Sequence, residues 1–185
     1  MHPALFYRPG ERLSLPELGA ARLDGVVFEV GEGFMPADTV EGADARATSL
    51  RDLIPSHLAA CGPTAAWIHG AGDAPPQIHH VRRAGPTRGR VGFSPRVVYH
   101  ERRAAPEELL SIGGIEVTTP LATAEELLFA ATKPGGDDES WLRALLLLSP
   151  ELIDALQPML AATVRRPGRR RALQLMSELA TIRTS

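Results

Sequence analysis

Cysteine is almost absent from these 185 residues, with Cys61 standing alone. An intramolecular disulfide is therefore impossible, and so is a zinc cluster built on several thiolates. Lysine is as scarce: Lys133 is the single one among 20 basic residues, the rest being arginine, a bias that suits a GC-rich coding sequence. Aromatic residues make up 5%, too few for a row of base-stacking platforms. No apolar run exceeds the five residues of "ALLLL" at 144–148, far short of the roughly 20 that span a bilayer. The opening "MHPALFYRPGERL" lacks the apolar stretch of a secretory leader. These absences exclude a disulfide-stapled scaffold and a helical membrane protein. The expectation is a soluble, cytoplasmic chain with no membrane partner.

What is present is a core-forming composition. Apolar residues reach 44%, and the length suits one full domain with attachments. The net charge is −2 but unevenly spread: −4 over residues 1–60, +5 over 61–104, −8 over 105–163 and +5 over 164–185. Basic stretches of this kind attract phosphates, and acidic ones attract basic partners.

Punctuation by Pro and Gly divides the chain. "SLPELGAARLDG" (14–25) reads as a helix capped by Ser14, with Pro in its first turn and Gly25 as its stop. "VVFEVGEGFMPAD" (26–38) reads as a hairpin turning at "GEG". A helix followed by a hairpin is the second half of a winged helix, and the thirteen residues before it leave no room for the first half. Apolar positions 47, 50, 53, 54 and 58 suggest a helix over 42–62 broken near Pro55. "PTAAWIHG" (63–70) is a short helix, while "QIHHVRR" (77–83) and "RVVYHER" (96–102) are strands. "PEELLSIGGIEVTT" (106–119) gives a helical turn, a "GG" turn and the strand "IEVTT". Pro120 opens a helix over 120–132, "KPGGDD" breaks the chain, and the remainder is helical. The fold class expected is α+β: a small mixed β-sheet with packed helices, a helix-plus-hairpin wing remnant (1–40), an α/β core (41–133) and a helical C-terminal segment (134–185).

Candidate chemistry starts with the histidines. His79 and His80 are adjacent in a predicted strand, so their side chains face opposite ways and cannot easily chelate one ion. One of them meeting His100 and Glu101 across paired strands is the best metal geometry available, and His79, His80 and His100 are the weak metal candidates. Hydrogen-bonded core histidines are the commoner outcome. His69 ends a helix, where partial positive charge is favoured, and Asp73 sits in a turn where Asp caps its own backbone. No G-x-S-x-G elbow, P-loop or G-x-G-x-x-G motif occurs, and Cys61 lacks a recognisable base, so no catalytic residue is assigned. Neither is any cofactor.

The strongest polar signal is "RRPGRRR" (165–171). Arg165, Arg166, Arg169, Arg170 and Arg171 are nucleic-acid candidates, because guanidinium forks match phosphate oxygens. A solvated turn answering the acidic stretch before it explains them equally well. Arg82 and Arg83, with Arg88 and Arg90, form a second basic patch with the same two readings. Leu145, Leu148, Leu152, Leu156 and Leu160 form an apolar stripe, for the core or for a partner groove.

The order and wording of "LDGVVFEVGEGFMPAD", "TAAWIHG", "QIHHVRR", "VVYHER", "IGGIEVTTPLATAEELL" and "RRPGRRRALQLM" resemble the AbiEi family of type IV toxin–antitoxin (abortive-infection) systems, in particular its actinobacterial members. The resemblance covers residues 14–132 and extends into the tail. It implies a non-enzymatic antitoxin and transcriptional regulator, with a DNA-binding winged helix that represses its own operon and a C-terminal domain that counters a nucleotidyltransferase-type toxin. Operator DNA and a cognate toxin are the implied partners, and a homodimer is left open. Two departures stand out: the winged helix is shortened, and Ala122 follows "TTPL" where relatives usually carry Arg. Two other functional classes stay open beside this one: a protein-interaction module without DNA binding, and a metal-dependent hydrolase or nuclease around His79, His80 and His100.

Overall fold

A computed structural model describes residues 6–85, 94–133, 135–163 and 166–182. Helix α1 (Leu15–Leu23) starts at Ser14, whose hydroxyl accepts from Glu17 N–H while the Glu17 carboxylate accepts from Ser14 N–H at 2.7 Å. Such reciprocal capping satisfies two donors that no helix turn can reach. The helix ends on Gly25 at φ +72°, where Val26 N–H returns to the Ala21 carbonyl. Strands β1 (Val27–Val30) and β2 (Gly33–Pro36) pair antiparallel as an isolated hairpin. Leu18, Val27 and Phe34 form a small core that holds α1 on this hairpin.

The second sheet has five strands in the order β5-β4-β3-β7-β6. They are β3 (Leu58–Ala60), β4 (His79–Arg83), β5 (Val97–His100), β6 (Leu109–Ile112) and β7 (Ile115–Thr118). β3 runs antiparallel to β4 and parallel to β7, β4 parallel to β5, and β6 antiparallel to β7. The sheet is mixed, as expected for the α+β class.

Two elements differ from the sequence reading. Helix α2 covers only Ala43–Ser49, and Leu58, expected on its apolar face, lies in the central strand. Leu and Ala are good helix formers, but ladders on both sides outweigh that preference in a three-residue segment. Strand β6 has no counterpart in the sequence reading, which gives a short helical turn and then the "GG" turn. The helical turn is confined to Pro106–Glu108, and β6 follows it. Gly113 and Gly114, at φ +56° and +85°, then fold β6 onto β7, as a two-residue hairpin with left-handed central positions requires. Gly113 also sits hard against α2: a Cβ there would lie 2.6 Å from the Asp44 carbonyl oxygen.

Helix α3 (Gly62–Ile68) is buried on every side. Helix α4 (Pro120–Ala130) begins at Thr119, whose hydroxyl accepts from Ala122 N–H at 3.2 Å. Helices α5 (Asp138–Leu148), α6 (Glu151–Ala162) and α7 (Arg169–Ile182) complete the chain. One apolar cluster joins the sheet and α3 to Phe6, Val30 and Met35, so the hairpin shares a core with the sheet. The other packs α4 against α5, α6 and α7 through Leu127, Leu128, Leu142, Leu145, Leu156 and Leu175. A fully buried leucine contributes about 2–3 kcal/mol, so this second cluster fixes the tail on α4. Of the predicted leucine stripe, Leu145, Leu152, Leu156 and Leu160 are buried, while Leu148 is 56% exposed. Ser149 and Pro150 divide that stripe between two helices and turn Leu148 outward. Among the described residues no helix is long and apolar enough to cross a membrane.

Candidate functional site: a cleft between the sheet and α4

The pleat separates His79 from His80, as the sequence requires. His79 points into the interior with no exposed surface, and neither ring nitrogen has a hydrogen-bond partner among the described residues. Its Nε2 lies 3.8 Å from Glu32 Oε1, on the hairpin turn, and Arg96 grips the same carboxylate with two contacts of 2.5 and 2.6 Å. Burial lowers the His79 pKa to about 4 despite Glu32. His79 therefore stands apart, and of the two strand histidines it is His80 that meets His100.

The strands of His80 and His100 are parallel neighbours, and His80 Nδ1 lies 3.1 Å from His100 Nε2. Glu126 of α4 approaches the same place. Its Oε2 accepts from Gly62 N–H at 3.1 Å and forms an ion pair with Arg82. Cys61, the residue between β3 and α3, brings its sulfur to within 4.8 Å of a nitrogen of His100 and an oxygen of Glu126. The carboxylate that joins the histidines is thus Glu126 and not Glu101, which is exposed. Burial lowers the pKa of both histidines and so favours their neutral rings. Burial also raises the Cys61 thiol, with Glu126 adding to the effect, and it raises the Asp138 carboxyl on the opposite wall.

A cavity of about 270 Å³ opens between Gly62, His80, His100, Glu126, Lys133 and Asp138. A second, of about 560 Å³, shares His100, Glu126 and Lys133 and is also lined by Arg82, Arg102 and Arg166. The cleft thus gathers side chains from two strands, α4 and the loops beside α5 and α7. Sequence reading missed Glu126 and Asp138. Each stands next to a second acidic residue, a pattern that reads as a solvated face, and only the packing of α4 on the sheet distinguishes Glu126.

Residues 58–179, from the central strand into the last helix, match the sequence model of the AbiEi antitoxin C-terminal domain. The chain belongs to the AbiEi antitoxin family. Comparison with curated proteins gives no match. The AbiEi domain thus takes in the five-stranded sheet, the cleft and helices α3 to α6, with most of α7. α1 and the hairpin precede it.

The predicted arginines that the structure describes are in unequal states. Arg82 is 2% exposed and ion-paired to Glu126, so it is corrected from a phosphate candidate to a buried partner of the cleft. Arg83 is half-buried, with its guanidinium 5.9 Å from the centre of the Tyr99 ring. Arg166 pairs with Glu125 and stacks 3.6 Å over the Phe129 ring. Arg169 donates from Nε to the Leu160 carbonyl at 2.9 Å. Arg170 and Arg171 are exposed on the first turn of α7. Arg165, Arg88 and Arg90 lie outside the described residues. His69, expected to carry partial charge, is held neutral by burial and bonds through Nε2 to the Thr118 carbonyl at 2.6 Å. Desolvation outweighs the helix terminus there.

Proposed function

We propose that this chain is a non-enzymatic antitoxin that acts as a transcriptional regulator, binding a cognate nucleotidyltransferase-type toxin, operator DNA, or both. The observation that carries this reading is the extent of the family match, which takes in the sheet and nearly all of the C-terminal helices. Toxin binding is what the antitoxin name of that domain suggests for this chain. DNA binding rests on the two outward arginines of α7, Arg170 and Arg171, with Arg83, Arg102 and Arg103 as further cations outside the α7 cluster. A guanidinium at a helix N-terminus gains nothing from the helix dipole, which favours anions there. Arg170 and Arg171 are therefore better satisfied by phosphates arriving from outside, and such contacts position a protein on DNA without reading its sequence.

The test has two arms. Co-expression with a nucleotidyltransferase-type toxin from an adjacent gene of its own operon, where one is encoded, should yield a stable complex and relieve growth arrest. Gel-shift titration against its own promoter should give binding that weakens steeply with salt, the slope falling by about one for each phosphate contact removed in Arg170→Ala or Arg171→Ala. Failure of both arms overturns the antitoxin reading. A protein-interaction module without DNA binding is the reading favoured by the exposed apolar side chains Leu23, Val26 and Val40 near the hairpin and Leu147 and Leu148 at the end of α5. Complex formation together with salt-insensitive or absent DNA binding selects it.

A further inference from the structure

Four donor side chains of the cleft arrive from four different elements: His80 from β4, His100 from β5, Glu126 from α4 and Cys61 from the junction of β3 and α3. None of them is on a flexible loop. The separation of His80 Nδ1 and His100 Nε2, 3.1 Å, is close to the roughly 3.3 Å between two imidazole nitrogens on a tetrahedral zinc ion with bonds of about 2.05 Å. The sulfur of Cys61, a nitrogen of His100 and an oxygen of Glu126 all lie within 4.8 Å of one another. Tetrahedral ligation brings such atoms to about 3.3–3.6 Å, so these three close on an ion by side-chain shifts of about an ångström, and His80 is the fourth candidate through its contact with His100 alone.

We propose that this cleft is a binding site for a divalent transition-metal ion, zinc above all, with His80, His100, Glu126 and Cys61 as its ligands. Two imidazoles, a carboxylate and a thiolate form a donor set of borderline softness that suits zinc and not magnesium or calcium. Glu126 and, on the wall of the same cavity, Asp138 supply negative charge for a cation, and the Cys61 thiolate formed on binding adds to it. Outer-sphere support is already in place, since Glu126 Oε2 is held by Gly62 N–H and Arg82, as ligating carboxylates usually are. The cavity lined by His80, His100 and Glu126 gives an ion its way in. On binding, a metal–sulfur bond replaces the S–H bond of Cys61, and the proton leaves to solvent. Such a site ties the strands to α4. It is independent of whether the antitoxin binds DNA or a toxin.

Cobalt(II) is the probe, added to the full chain after chelation and gel filtration. One equivalent is expected to bind, giving the intense visible bands of four-coordinate cobalt and a near-ultraviolet sulfur-to-cobalt charge-transfer band. Cys61→Ser, which is nearly isosteric, should remove the charge-transfer band and leave the circular dichroism unchanged. His80→Asn and His100→Asn should each weaken binding by more than about 100-fold, beyond the roughly 10–100-fold of an outer-sphere change. Zinc should displace cobalt and raise the Tm of the wild type only. A wild-type protein that stays colourless at stoichiometric cobalt overturns the proposal. So does a spectrum indifferent to Cys61→Ser, or binding unaffected by both histidine substitutions.

Discussion

Acid should destabilise this protein through His79 before its carboxylates titrate. The ring has no exposed surface, and burial brings its pKa from 6.5 to about 4, with Glu32 opposing the shift only in part. An unfolded chain takes up the proton near 6.5, whereas the folded one resists until about 4. Within that window the unfolded state holds more protons, so stability falls as the pH falls. It is fully present above 6.5 and lost by about 4. A tenfold difference in proton affinity corresponds to about 1.4 kcal/mol, so the whole loss approaches about 3 kcal/mol, and about 2 kcal/mol of it falls between pH 7 and pH 5. His79→Leu removes the titration. Neither ring nitrogen has a hydrogen-bond partner among the described residues, so the variant should match the wild type at pH 7 to within about 1 kcal/mol. Urea unfolding at pH 7, 6 and 5 measures both proteins. His69, His80 and His100 also titrate low and contribute equally to each, so the difference between the two slopes isolates His79. Parallel pH profiles would refute the reasoning.

Other expectations concern packing and backbone. Gly113→Ala places a methyl 2.6 Å from the Asp44 carbonyl oxygen at φ +56°, and should cost about 1–3 kcal/mol in denaturant unfolding. Gly19→Ala, inside α1 with open space around it, should instead stabilise by about 0.5–1 kcal/mol. Leu156→Ala leaves a cavity where α6 meets α4 and should cost about 2–5 kcal/mol. Arg166→Ala, which breaks the Glu125 ion pair and the stacking on Phe129, should lower stability by about 1–2 kcal/mol. Arg170→Ala, one turn away in the same arginine cluster, should stay within about 0.5 kcal/mol, and equal effects would show that neighbouring arginines in this cluster are not functionally distinct.

Local signals in the sequence determined much of this protein. The Ser14 cap, Gly25, the "GEG" hairpin, Pro120 and the helices of the tail all act over a few residues, and backbone chemistry decides them. The opposition of His79 and His80 also follows from the two-residue pleat alone. Leu58–Ala60 became a central strand because Val81 and Val117 flank it, partners that sit 21 and 57 residues away from Ala60. The candidate arginines of the two basic patches diverged because α4 presents Glu125 and Phe129 to Arg166, and Glu126 to Arg82, but no such partner among the described residues to Arg170 and Arg171. His80, His100, Glu126 and Cys61 likewise share no spacing that a reader of sequence could recognise. Their meeting is a property of strand order and of the face on which α4 packs, and only the tertiary structure decides those.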